Sequence, residues 1–411
     1  MILGRISIFV LKVIMDVVSF LPAMASLLLA LLCCALIAKR WGAPPLAGRY
    51  ASIDGLRGYL AFFVFLHHGC IWYFYVRYGA WNVPPSALYT NFGHASVAMF
   101  FMITGFLFYA KLLAARSRGV DWGKLYVSRI LRLTPLYLFA MVLLFITVAC
   151  LSGFRRQETL PALLMHAAQW LMFTSLDAPD LNGIKNTTHI MAGVTWSLPY
   201  EWLFYLLLPL LALPLRIMPP WPYLLTSTLV FLSVLTAAII RQAPVHHFLA
   251  FLAGMTAAVL VLSPTFCRLC ESRLASIFTV VCIGTACLAF ASAHEFGSLL
   301  LLSIAFAMIA GGASIFGVLH TAVSRTFGEF AYSIYLLHGL LLFVTFHFVI
   351  GRERAMTFSP LLHWSIILLL TPLLVCICFM TFRLIEQPGM RHVNAVTAYF
   401  RRISRHAKSS V

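Results

Sequence analysis

The chain has 411 residues, of which 62% are hydrophobic and only 10% charged, with a mean hydropathy of +0.94. Water-soluble domains carry about a quarter charged residues, so this composition excludes an ordinary soluble protein and leaves a bilayer protein. The formal net charge is +17, but its placement along the chain argues for membrane orientation and contact with anionic lipids, and against a nucleic-acid partner.

Apolar segments of spanning length, about 20 residues, recur at approximately 13–38, 53–75, 93–115, 134–152, 195–213, 222–240, 246–262, 275–293, 297–318, 328–350 and 362–384. They predict an all-α fold, a polytopic transmembrane helix bundle of about 10–11 spans. Residues 1–45 read as an extra N-terminal transmembrane helix and basic connection, 46–390 as one membrane domain, and 391–411 as a basic cytoplasmic tail. Lys12 and Asp16 stand at the start of the first segment, which lacks a small-residue cleavage site, so a retained helix is expected in place of a removed signal peptide. Lys39, Arg40 and Arg49 lie between the first two segments with Arg57 at the start of the second, and Lys111 at the end of the third is followed by Arg116, Arg118, Lys124, Arg129 and Arg132. Arg383 at the end of the last is followed by Arg391, Arg401, Arg402, Arg405 and Lys408. The connections between these basic blocks are poorer in net positive charge, which is the positive-inside pattern and makes the C-terminus cytoplasmic.

Two connections exceed what topology requires. Residues 76–92 carry Trp81, Asn82, Pro84, Pro85 and Tyr89, and 153–193 hold an apolar stretch around Leu163–Phe173, too short to span, then Asp177, Pro179, Asp180 and Asn182. Aromatic and amide side chains suit a sugar-binding surface, and interfacial aromatic belts share that composition. The ten cysteines are scattered, mostly inside apolar runs. Cys267 and Cys270 lack a second pair of ligands for zinc, so no metal site is expected.

Ionisable residues within spans are expensive in a bilayer and are functional candidates for that reason. In the second segment Arg57 and His68 are eleven positions apart. That spacing returns to within about 20° of one helix face over a rise of about 16 Å. Arg57 then lies at the cytoplasmic interface with His68 about halfway through the bilayer, while His67 points about 100° away. A guanidinium suits phosphate groups and an imidazole suits general-base work near neutral pH. The same pair also fits a snorkelling arginine and a core histidine bonded to a neighbouring helix. Asp54 reads as a helix N-cap beside Ser52. His189, His246, His247 and His294 read as surface histidines.

Further blocks join the second segment in order. Asp54-Gly55-Leu56-Arg57-Gly58 with His68 resembles the opening motif of the acyltransferase-3 family of integral membrane O-acyltransferases. Phe100-Phe101-Met102-Ile103-Thr104-Gly105-Phe106 is similar to that family's paired-phenylalanine segment, and Arg129, Arg132 and Pro135 to its paired-arginine motif. Thr195-Trp196-Ser197-Leu198 with Glu201, Phe204, Tyr205 and Pro209 resembles a fourth block. Tyr332-Ser333-Ile334-Tyr335-Leu336-Leu337-His338 and Glu386-Gln387-Pro388 are similar to the last two. The resemblance covers about 50–390. It departs at Ser96-Val97-Ala98-Met99, where many members carry an acidic residue.

The resemblance implies transfer of an acetyl or other short acyl group from acyl-CoA, the donor, to a carbohydrate or lipid-linked glycan in the bacterial inner membrane. Lipopolysaccharide O-antigen is the first expected acceptor, ahead of exopolysaccharide, periplasmic glucan and small glycosides. His68 is expected to deprotonate the acceptor hydroxyl, with an acyl-histidine intermediate as the competing mechanism. Arg57 is expected to bind the donor or to hold the His68 side of the channel, and Glu201 to orient His68. Ser197, one turn before Glu201, is placed with Arg129, Arg132 and His338 as donor-binding. The rival classes are a proton-coupled glycan or sugar transporter, disfavoured by the lack of an internal repeat, and a non-catalytic membrane scaffold.

Overall fold

The computed structural model describes residues 16–46, 50–241 and 245–409. The start of the first expected span, with Lys12, and Arg49 in the following connection lie outside the described residues. The long helices, in chain order, are α1 (Phe20–Trp41), α2 (Ala51–Tyr78), α3 (Ala87–Ala114), α4 (Trp122–Leu151), α5 (Leu160–Leu171), α6 (Ser197–Ala212) and α7 (Trp221–Arg241). They continue as α8 (Val245–Leu260), α9 (Pro264–Cys270), α10 (Arg273–Leu288), α11 (Phe296–Ala310), α12 (Ala322–Glu329), α13 (Ala331–Phe343), α14 (Arg352–Met356), α15 (Pro360–Thr381), α16 (Gln387–Arg391) and α17 (Val393–Ser409). Among the described residues the only bridge-type pairing is the isolated one between Leu181 and Ile184.

Among the described residues seven helices are long and apolar enough to cross a membrane, and an eighth span results if α8 and α9, bent by 108°, are one broken span. Trp221–Thr236, α10 and α11 are apolar but shorter. Each of the eleven expected segments coincides with a helix. The number of full-length spans is smaller because helices of 15 or 16 residues reach only about 24 Å, against a hydrocarbon core of about 30 Å. The polypeptide is a multi-pass membrane protein.

One helix begins well before its apolar run. α4 starts at Trp122, capped by Asp121, whose carboxylate accepts the Lys124 N–H at 3.1 Å. Arg129 and Arg132 therefore stand on a 30-residue helix and not in a connection. Hydropathy alone hides those turns because Lys124, Arg129 and Arg132 dilute them. The apolar stretch after Pro161 forms α5, 12 residues long and too short to span, as expected.

The chain divides into two compact units. The first comprises Met1–Leu107, His189–Val194 and Val245–Cys378, and the second Phe108–Thr188, Thr195–Pro244 and Phe379–Val411. In the first unit α2 is a central helix against which α12, α13 and α14 pack, while α11 packs on α8 and α10. Phe62 and Phe65 of α2 are fully buried, which fits a helix apolar on every side. Small residues permit this closeness: a Cβ on Gly55 would collide with the Leu319 carbonyl, and one on Gly328 with the Asp54 carbonyl. Two glycines of the opening motif, Gly55 and Gly58, thus serve packing. Asp54 is not the cap of α2, because the helix begins at Ala51 with Tyr50 before it. Its carboxylate belongs to the first turn, where the helix dipole favours it, and Ser52 instead bonds His320 Nε2 at 2.8 Å. In the second unit α4 meets α5, α16 and α17, and α6 pairs with α7.

Candidate active site

α2 and α13, packed together in the first unit, each place one histidine at their contact. His338 Nε2 lies 3.0 Å from His68 Nδ1, and both side chains are buried. Each ring also folds back on its own helix one turn earlier. His338 Nδ1 is 2.9 Å from the Ile334 carbonyl, and His68 Nδ1 is 3.0 Å from the Val64 carbonyl. These contacts assign the tautomers. A carbonyl only accepts, so His338 carries its proton on Nδ1 and offers a lone pair at Nε2. His68 then carries its proton on Nδ1, shared between Val64 and His338, and exposes a lone pair at Nε2. That nitrogen is the reactive atom of the pair, in geometry suited to a general base or a nucleophile.

Aromatic side chains of the same unit roof this pair. The Trp81 indole lies 6.2 Å from the His68 ring at 23° and 4.6 Å from the His189 ring at 17°. Tyr75 meets Trp81 edge-on at 5.0 Å, and its hydroxyl is 3.4 Å from His189 Nδ1. Backbone closeness places His189: a Cβ on Gly339, the residue after His338, would collide with the Met191 backbone, so only glycine lets the Thr187–Met191 turn rest on α13. Beyond Phe343 the helix widens into a π-type turn at Val344–Val349, a feature that recurs near functional sites. Arg57 stands on the same helix as His68, eleven residues earlier and half-buried.

Within the second unit a charged group forms around α4 and α6. The Tyr205 hydroxyl donates to the Glu201 carboxylate one turn before it, and Arg129 and Arg132 act electrostatically on that same tyrosine. The Arg129 guanidinium lies over the Phe108 ring at 5.1 Å, and Arg132 reaches Met390 Sδ at 3.5 Å. Tyr126 donates to the Tyr205 carbonyl at 3.1 Å. Ser197, buried, opens α6 one turn before Glu201. Arg129 and Lys124 act on Lys111 as like charges, partly offset by Asp121.

Sequence reasoning placed His68 and His338 in the chemistry but not in mutual contact. The partners of His68 Nδ1 are the Val64 carbonyl and His338. It missed His94 and misjudged a group of histidines as surface residues: His247 is buried, and His189 packs on Trp81. Their only sequence signal was a helix-face position at the start of an apolar segment, which lipid-interface histidines share.

A family model described as an acyltransferase domain, that of the acyltransferase-3 family, matches residues 50–383, which contain both histidines and both arginine-bearing helices. No curated protein matches the chain. No solved structure matches it.

Proposed function

The chain belongs to the acyltransferase-3 family, and on that premise we propose that it moves an acetyl or other short acyl group from acyl-CoA to a hydroxyl of a cell-surface glycan. The acceptor class is lipopolysaccharide O-antigen, free or lipid-linked, and the protein works in the bacterial inner membrane with its C-terminus cytoplasmic. Acyltransferase activity itself follows from the family. The single observation that carries the mechanism is the hydrogen-bonded His68–His338 pair, buried between two helices of the matched region.

His68 Nε2 takes the proton of the acceptor hydroxyl as its oxygen attacks the acyl carbon, and the thiolate leaves with the electron pair of the broken carbon–sulfur bond. The imidazolium that forms keeps its Nδ1–H on Val64 and His338, two acceptors that favour the charged ring. His338 is thus a positioning residue, fixed by Ile334 and fixing His68. Arg129, Arg132 and Lys111 supply the charge that donor phosphates require, arginine with its planar fork. Arg57 contributes to donor binding from the near end of α2. Trp81 with His189 offers the flat apolar and polar edges that a sugar ring uses.

The test is NMR of surface polysaccharide from a deletion strain complemented with the wild type or with His68→Ala. The expected result is an O-acyl signal lost on deletion, restored by the wild type and not by His68→Ala at equal membrane level. Full restoration by His68→Ala removes His68 from the mechanism. Polysaccharide unchanged by deletion rejects the O-antigen as acceptor.

A further inference from the structure

His68 is one end of a longer series of imidazoles in the first unit. His67 lies beside it on α2, the ring centroids 4.8 Å apart, and His94 on α3 is 6.0 Å from His67. His294, in the connection between α10 and α11, stacks on His94 at 4.3 Å and on His246 of α8 at 4.0 Å. Accessibility rises along the series: His67 and His68 are buried, His94 is half-buried and His294 is exposed. Four separate chain segments converge to make it, and the chain gives up side-chain volume for it. A Cβ on Gly93 would lie 2.6 Å from His67 Cδ2.

The hydrogen bonds point the same way. His67 Nδ1 donates to the Tyr89 carbonyl at 2.7 Å, which leaves its Nε2 as an acceptor. His94 Nδ1 meets the Ser292 hydroxyl at 2.8 Å, and Glu295 in the same connection accepts the Ser292 N–H at 3.2 Å. His246 Nε2 is buried without a hydrogen-bond partner among the described residues. Ring separations of this size are crossed by one water or one ring rotation, and imidazole is the side chain suited to passing protons near neutral pH.

We propose that His67, His94 and His294 form a proton path that carries the acceptor hydroxyl's proton from His68 to bulk water at the 289–295 connection. The inference rests on the acyl-transfer reading above. The hydroxyl O–H breaks as its oxygen bonds the acyl carbon, and the proton moves to His68 Nε2 and then outward along the row. The departing thiolate takes a proton from water, so the sum is one ester and one thiol with no net proton. Such a path separates the site of proton release from the leaving thiol.

The experiment uses the full chain purified in detergent, with acetyl-CoA as donor and O-antigen polysaccharide as acceptor, comparing wild type, His94→Gln and His294→Gln. The expected result is a kcat about tenfold lower in each variant, an unchanged KM for both substrates, and recovery of kcat on adding free imidazole. Wild-type turnover in both variants overturns the path. So does a loss that imidazole leaves in place, because a packing defect is not repaired by a soluble base. A wild type that transfers nothing to O-antigen removes the proposed donor and acceptor and this inference with them, whereas an active wild type with unaffected variants removes only the inference.

Discussion

In the first unit the ionisable groups His68 and His338 are held by backbone carbonyls among apolar side chains, whereas in the second Glu201 accepts from Tyr205, on which Arg129 and Arg132 also act, and all three charged groups remain half-exposed. The difference follows from what each environment tolerates. A neutral imidazole can be buried once its N–H is bonded, because only a dipole has to be satisfied. A guanidinium cannot be, so arginines stay where water or a polyanion reaches them. The first arrangement fixes the direction of one lone pair and suits chemistry. The second keeps positive charge available and suits binding.

That contrast predicts how variants divide between turnover and affinity. His338→Ala removes the acceptor that fixes His68 Nδ1–H, so kcat should fall about 100-fold with KM for acyl-CoA unchanged; a change in KM alone would move His338 to donor binding. Gly339→Ala forces a Cβ into the Met191 backbone and should lower the thermal midpoint in detergent, corresponding to about 2 kcal/mol of overpacking strain. Unchanged melting would show that the Thr187–Met191 turn rests more loosely on α13 than its backbone contact implies. Arg129→Ala should act the opposite way to His338→Ala, raising KM for acyl-CoA about tenfold while kcat holds, with a weaker salt dependence than wild type. Loss of kcat there would break the division between the units.

The smallest effect belongs to the exposed end of α4. Burial would raise the Asp121 carboxyl, but the Lys124 N–H and the Arg401 guanidinium outweigh it and hold the carboxyl below its ordinary value. A depressed carboxylate contributes stability above its unfolded value and loses it as pH falls through the folded one, so the docking of α17 on α4 should weaken only in acid. Asp121→Asn should cost less than about 1 kcal/mol, because the ion pair is largely exposed, and proteolysis of α17 as a function of pH measures it.

The expected segments matched helices because bilayer burial imposes long apolar runs that hydropathy reads directly. α4 escaped in part, since its first three turns carry Lys124, Arg129 and Arg132, and a capped helix continues through charges where it leaves the hydrocarbon. His68 and Arg57 were legible because intramembrane ionisable residues are rare. The row of His94, His246 and His294 was not, because residues from three distant segments carry no mark of one another in sequence.

Composition and pattern alone determined that this is an all-helical membrane protein, and ordered motifs along one chain assigned it to a family of acyltransferases. Both are properties summed over local sequence, so no folding is needed to read them. Only tertiary structure decided that His68 bonds His338, which of its nitrogens carries the lone pair, and that further imidazoles continue from it toward water. Those facts depend on helix contacts between residues 270 positions apart, in a unit where glycines are small enough to let α2 and α12 close on one another.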